Sequence, residues 1–242
     1  MKDLVASLIR AAVAQPGACV FDSFARNVDA HSAAPAHSLA ELRALRSTKT
    51  KGDIFETFCC LYLRAKRGYR EAWRVPDAPR ELAVSLGVGG RDMGIDLIGV
   101  DPQGRPAAVQ CKYRTMSARS TFVPGTHIRR DVVPWRDLAT FYALCARTGP
   151  WSRHVVMTNA VGVRSLRGVP KGEKDTSICR ASLRALTTLD MVAMLALLGQ
   201  TSSPPPPADE NKENIAISRS VDELRAARAL FYQKQKPLTL AA

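Results

Sequence analysis

The sequence predicts a mixed α/β domain extended by helical arms. Segments with an apolar residue at every third or fourth position alternate with short apolar or β-branched runs. Two of those runs, Gly94–Val100 and Arg105–Tyr113, flank Asp101-Pro102-Gln103-Gly104, and a Pro and a Gly within four residues make turn chemistry. These two strands are therefore expected to form an antiparallel hairpin. The 242 residues are 46% hydrophobic and 24% charged, a globular balance that excludes a wholly disordered or fibrous chain. The length fits one domain with arms, with two small domains as the alternative.

Residues 1–48 read as an N-terminal helical arm with an irregular middle at Pro16, Gly17 and Pro35. Within Met1–Ala14, Leu4, Val5, Leu8, Ile9, Ala12 and Val13 have helical spacing, while Asp3 and Arg10 interrupt any signal-peptide core. An amphipathic helix is the reading adopted; the Ala, Ser and Arg content leaves a transit peptide as the alternative. Residues 49–199 form the central domain. Thr50–Arg67 is a helix ended by Gly68, since Ile54, Phe55, Phe58, Leu61, Tyr62 and Ala65 recur on one face. A short strand at Ala72–Val75 and a short helix at Pro79–Leu86 precede a glycine loop at Gly87, Gly89 and Gly90. Beyond the hairpin, Pro134–Arg147 reads as a helix with proline in its first turn. His154–Thr158 reads as a buried strand, Ser177–Cys179 as another strand, and Leu189–Leu198 as a buried helix.

Residues 200–218 contain four consecutive prolines followed by a polar run, and read as a disordered, extended linker. Residues 219–242 form a C-terminal helix and tail, with Val221, Leu224, Ala227, Leu230 and Phe231 at helical spacing behind a capping box of Ser220 and Glu223. The longest apolar run, Met191–Leu198, is far short of the ~18 residues of a membrane span, so no membrane association is expected. Six scattered cysteines without a CxxC pair signal neither zinc nor a disulfide framework. Free thiols in a reducing compartment, cytoplasmic or nuclear, are expected.

The chemistry concentrates on the hairpin. Side chains alternate along a strand, so Ala108, Gln110 and Lys112 share one face, expected to be open, and Ala107, Val109 and Cys111 share the core face. Asp96 stands among Ile95, Leu97 and Ile98, where an unpartnered carboxylate costs several kcal/mol. A metal ion held by Asp96 and the Gln110 carbonyl oxygen, with Lys112 beside it, satisfies all three.

Gly94-Ile95-Asp96, a thirteen-residue gap, and Gln110-Cys111-Lys112 resemble the PD-(D/E)xK nuclease signature, and more narrowly its Mrr-type restriction endonuclease branch, where glutamine often precedes the lysine. Gly52-Asp53-Ile54-Phe55-Glu56-Thr57-Phe58 resembles that branch's first helix. Further similarity runs through Trp135–Phe141 and Met157-Thr158-Asn159, as in the nuclease domains at the N-terminus of some restriction-like helicases. The resemblance spans roughly residues 49–165. It implies a restriction-endonuclease-like core, with a central mixed sheet of about four to five strands flanked by helices. It implies a Mg²⁺- or Mn²⁺-dependent endodeoxyribonuclease of the restriction or repair type. Asp96, Gln110, the Cys111 backbone carbonyl and Glu56 would hold the ion, Glu56 directly or through water. Lys112 would orient or deprotonate the attacking water and steady the phosphate charge. Gln110 removes one negative charge from the usual set, which implies weaker metal binding and one ion rather than two.

Each residue also has a plainer reading: Asp96 as a turn cap, Gln110 and Lys112 as solvated strand residues, Glu56 as a helix-surface glutamate. Asp53 and Asp92 are nearby carboxylates with only an N-cap or loop reading. His127 and His154 read as a loop and a strand-end histidine, and Cys59-Cys60 as core packing.

The formal charge is +13, and Arg105–Arg180 holds fourteen basic against four acidic residues, +10 of that excess. A polyanion is the expected partner. Arg114, Arg119, Arg129 and Arg130 in one loop, and Arg164, Arg167, Lys171 and Lys174 in another, are the expected DNA phosphate contacts, making binding salt-dependent. The chain contains no P-loop, so it is expected to act alone, as a homodimer, or beside a separate helicase. The rival readings are a DNA-binding protein of weak or lost activity on the same fold, and a junction-resolving or RNA nuclease.

Overall fold

The computed structural model describes residues 1–15, 17–34, 38, 48–88, 94–115, 132–164 and 172–199. The linker and C-terminal helix, Gly89, Gly90, Asp92, Arg119, His127, Arg129, Arg130, Arg167 and Lys171 lie outside the described residues. The described elements are α1 (Lys2–Val13), α2 (Val20–Ser32), α3 (Thr48–Arg67), β1 (Glu71–Arg74), α4 (Arg80–Ser85), β2 (Leu97–Val100), β3 (Pro106–Lys112), β4 (Val132–Val133), α5 (Ala139–Cys145), β5 (Arg153–Thr158), β6 (Gly162–Val163), β7 (Asp175–Ile178), α6 (Arg180–Arg184) and α7 (Thr188–Gly199).

The centre is a five-stranded sheet in the order β1-β2-β3-β5-β7. β1, β2 and β3 are antiparallel neighbours, while β3, β5 and β7 run parallel, so the fold is α/β with a mixed sheet. The expected hairpin is present, with Leu97 opposite Val109 and Val100 opposite Pro106. β4 and β6 form a separate parallel pair that the sequence pattern does not reveal. Two residues are too few to display a period of two.

Helices cover both faces of the sheet. On one face Leu97, Val109, Cys111, Val155 and Met157 pack with α1, α2, α3 and α7 around Phe21, Phe24, Phe55 and Phe58. The Phe24 and Phe58 rings stack with centroids 4.5 Å apart. On the other face Ile98, Ala108 and Val156 pack with Leu138, Phe141 and Trp151. The β3 face expected to be open is therefore closed: Ala108 is fully buried and Gln110 is 3% exposed. A central strand with a parallel partner is commonly covered on both sides.

The N-terminal arm is helical, as its spacing predicts, but it also supplies core. Val5, Ile9, Phe21, Phe24 and Val28 are buried in the same cluster as α3. α2, where an irregular stretch was expected, ties to the chain just past β3. The Tyr113 hydroxyl lies 3.0 Å from the Ala25 carbonyl and 3.1 Å from Asp29 Oδ1. Lys51 Nζ reaches the same Asp29 oxygen at 3.0 Å.

Three element readings change. Pro134–Arg147 is not one helix: Trp135–Asp137 is a 3₁₀ turn, and α5 starts at Ala139. The i→i+3 bonds Asp137 N–H to Pro134 O and Leu138 N–H to Trp135 O tighten the chain there. α7 is half buried rather than buried: Met191 and Met194 face the core, while Leu189 is 80% exposed. The ladder of β2 begins at Leu97, three residues after Gly94, whose φ of +102° turns the chain. A Cβ on Gly94 would come within 3.4 Å of the start of α5. No helix among the described residues is long and apolar enough to cross a membrane.

Candidate active site

Strand register brings four chain segments to one end of the sheet. Arg74, the last residue of β1, pairs with Leu97, and Leu97 with Val109, while Lys112 at the end of β3 pairs with Thr158 at the end of β5. This end holds the carboxyl ends of parallel β3 and β5, where open α/β sheets bind their ligands. Asp96 lies there between two strands. Its carbonyl accepts the Val75 N–H at 2.9 Å and its N–H donates to Val109 O at 2.9 Å.

The Asp96 side chain continues the ladder beyond its backbone. Oδ2 accepts the Cys111 N–H at 2.6 Å, and the Gln110 Nε2 amide donates to the same oxygen. Asp96 and Gln110 therefore meet directly, where the sequence reading put a metal ion between Asp96 and the Gln110 carbonyl oxygen. The atom facing Asp96 is the amide nitrogen rather than the carbonyl oxygen, because a carboxylate selects a donor. Gln110 Nε2 also lies 3.4 Å from the Cys111 carbonyl. The Cys111 thiol is on the core face beside Cys59, and burial raises both thiols above their ordinary range, as suits packing residues rather than nucleophiles.

Glu56 of α3 faces this cluster. Burial and the negative charge of Asp96 push its carboxyl up to about 7, against the opposing pull of Arg74. Arg74 holds both acids of the helix face: Nε donates to Glu56 Oε2 at 3.0 Å and Nη2 to Asp53 Oδ1 at 2.9 Å. Arg74 did not stand out from the sequence, and Asp53 had only an N-cap or loop reading. Their signal was the i, i+3 spacing of Asp53 and Glu56, which puts two acids on one helix face and calls for a cation.

Lys112 is half exposed at the end of β3, and no described residue pairs with its ammonium. Its backbone is clamped from β5: Thr158 Oγ1 donates to Lys112 O at 2.6 Å. Asn159 then takes both polar groups of Arg114, accepting its N–H on Oδ1 and donating from Nδ2 to its carbonyl, each at 2.6 Å. Thr158 is fully buried and Asn159 2% exposed, so these bonds are worth more than surface ones.

The described basic residues divide. The Arg114 guanidinium is paired with Asp137 at 2.6 Å, so part of its charge is already used. Arg164 is exposed and its N–H bonds to Val133 O, on the small second sheet. Lys174 immediately precedes β7, where its carbonyl accepts the N–H of His154 near the start of β5. That is the opposite end of the sheet from Lys112. The same far end holds a cavity of about 350 Å³ lined by Lys66, Tyr69, Asp101 and Arg153, which includes none of the candidate residues. His154 bonds Asp175 Oδ1 through Nδ1 at 3.0 Å, consistent with a structural strand-end histidine.

Among the described residues no three His, Cys, Asp or Glu side chains converge to hold a metal ion. A divalent ion here would have two carboxylates, Asp96 and Glu56, and the neutral oxygens of Gln110 and Cys111. That set is all oxygen, which fits Mg²⁺ or Mn²⁺ and not Zn²⁺. Gln110 would have to turn its amide over to present Oε1. Comparison with protein-family models, curated proteins and solved structures found no match.

Proposed function

We propose that the chain is a metal-dependent endodeoxyribonuclease with a restriction-endonuclease-like, PD-(D/E)xK-type core. The observation that carries the reading is the bond of Gln110 to Asp96 at the end of the β2–β3 hairpin where β3 closes on Lys112, with Glu56 electrostatically coupled to Asp96. Glu56 and Asp96, separated by forty positions in sequence, and the hairpin pair Gln110 and Lys112 are of the types that phosphodiester hydrolysis requires. A bound Mg²⁺ would supply Lewis acidity and an activated water. The Lys112 ammonium neutralises charge on a phosphate held at the strand end. Glu56, with a carboxyl near 7, can take up or release a proton close to neutral pH. Thr158 and Asn159 hold the backbone from which Lys112 and Arg114 project.

The test is cleavage of supercoiled plasmid with Mg²⁺ or Mn²⁺ by the full chain, Asp96→Ala and Lys112→Ala. Nicking or linearisation by the wild type, lost in both variants, is the expected result. Equal cutting by all three refutes the site.

A second reading has its own support. Gln110 already donates to Asp96, and Arg74 already neutralises Glu56, the arrangement of a site that binds DNA without hydrolysing it. Salt-dependent duplex binding with no cleavage under either metal would favour it. Cleavage confined to RNA or to branched DNA in a substrate panel would redirect the assignment within the nuclease class.

A further inference from the structure

The acids of the candidate site have a cation among them. Arg74 projects from the end of β1 and its guanidinium bridges Glu56 and Asp53, one helical turn apart, at 3.0 and 2.9 Å. All three side chains are about four-fifths buried, so the ion pairs are weakly screened. Asp96 adds a further negative charge felt by Glu56. A guanidinium fork suits such paired carboxylates, and both contacts use separate nitrogens.

We propose that Arg74 is the resident counter-cation of the candidate metal site, competing with a divalent ion for Glu56 and thereby setting the metal concentration at which the site fills. This rests on the nuclease-site reading and adds a regulator to it. A divalent ion held by Asp96 and Glu56 would add two positive charges near the guanidinium, and Glu56 Oε2 already accepts from Arg74 Nε. The arrangement provides for release: were Glu56 to turn to an ion, Asp53 would keep its bond to Nη2, so Arg74 would give up one partner and not two. The chain therefore needs Asp53 as a parking place, which accounts for a second acid on the same face that no metal ligand role requires.

A purely structural Arg74, bracing Glu56 for the ion, predicts the opposite sign. Calorimetric titration of the full chain with Mg²⁺, and separately with Ca²⁺, compares wild type, Arg74→Gln, Arg74→Lys and Asp96→Asn. Competition predicts that Arg74→Gln binds about tenfold tighter, equivalent to about 1.4 kcal/mol. Arg74→Lys, a single point charge without the fork, falls between. Mg²⁺ should also raise the Tm of Arg74→Gln more than that of wild type, since at a given concentration the tighter-bound ligand stabilises more. An Arg74→Gln chain that folds only with Mg²⁺ is the extreme of the same result. Equal or weaker binding in Arg74→Gln, or failure to fold with and without Mg²⁺, overturns the proposal. If Asp96→Asn abolishes binding while Arg74 is neutral, the competition alone falls. If Asp96→Asn leaves Mg²⁺ binding unchanged, or wild type binds none, the metal site itself falls with it.

Discussion

The raised carboxyl of Glu56 makes stability depend on pH in a direction opposite to that of most surface acids. The carboxyl moves from 4.5 to about 7 on folding, through burial first and the charge of Asp96 second. Below pH 4.5 the group is protonated in both states and contributes nothing. Above 7 it is ionised in both, and the folded chain bears the cost of a buried charge facing another. Stability therefore falls as pH rises from about 4.5 to about 7. At about 1.4 kcal/mol per pKa unit the ceiling is about 3 kcal/mol. The Glu56 side chain is 20% exposed, and solvent screening brings the expected value down to about 2 kcal/mol. Asp101 and Asp190 work the other way, with carboxyls lowered by hydrogen bonds and ion pairs. Their stability is lost as pH falls below the ordinary carboxylate range, outside this window. Glu56→Gln removes the titration and retains a hydrogen-bonding side chain. Urea unfolding of both chains at pH 5 and pH 8 should show a loss larger by about 2 kcal/mol in wild type than in Glu56→Gln. Addition of Mg²⁺ at pH 8 should narrow that gap. Parallel pH dependence in the two chains would refute the burial of Glu56 against Asp96.

Asn159→Ala leaves the Arg114 N–H and carbonyl without their partner in a buried corner, and should cost about 2–3 kcal/mol in urea unfolding. Gly99 of β2 faces the Tyr69 ring, where a Cβ would lie 2.8 Å from two ring carbons. Gly99→Ala should cost about 1–3 kcal/mol, and the double variant Gly99→Ala with Tyr69→Ala should be less destabilised than the sum of its parts. Phe58→Ala, which empties the centre of the α2–α3 aromatic cluster, should cost about 3–5 kcal/mol.

The hairpin and its polar triad were legible because they are local. Asp101–Gly104 is a turn by composition, and a period of two places Gln110 and Lys112 on one face whatever surrounds them. α3 was legible for the same reason, its apolar stripe being long enough to show a period of 3.6. The break at Leu138 was not, since Pro134, Trp135 and Leu138 fit both a helix and a 3₁₀ turn and only the hydrogen bonds distinguish them. β4 and β6 were too short to carry a signal. α2 was hidden by Pro16 and Gly17 before it and Pro35 after it, though Val20, Phe21, Phe24 and Val28 hold helical spacing between them.

The sequence by itself determined α3, the hairpin and which polar residues share a face of β3, because these depend on side-chain spacing along a few residues. It also determined that Asp96 needs a partner, because a carboxylate beside Ile95 and Leu97 cannot be left alone. Only the tertiary structure decided which partner. β1 must pair with β2 before Arg74 can reach α3, and β5 must pair with β3 before Asn159 can grip Arg114. Those contacts join residues separated by 18 to 45 positions, and no local pattern encodes them. The closure of the Gln110 face belongs to the same class: a strand's own alternation says which side chains share a face, and only the helix packed above it decides whether that face meets water.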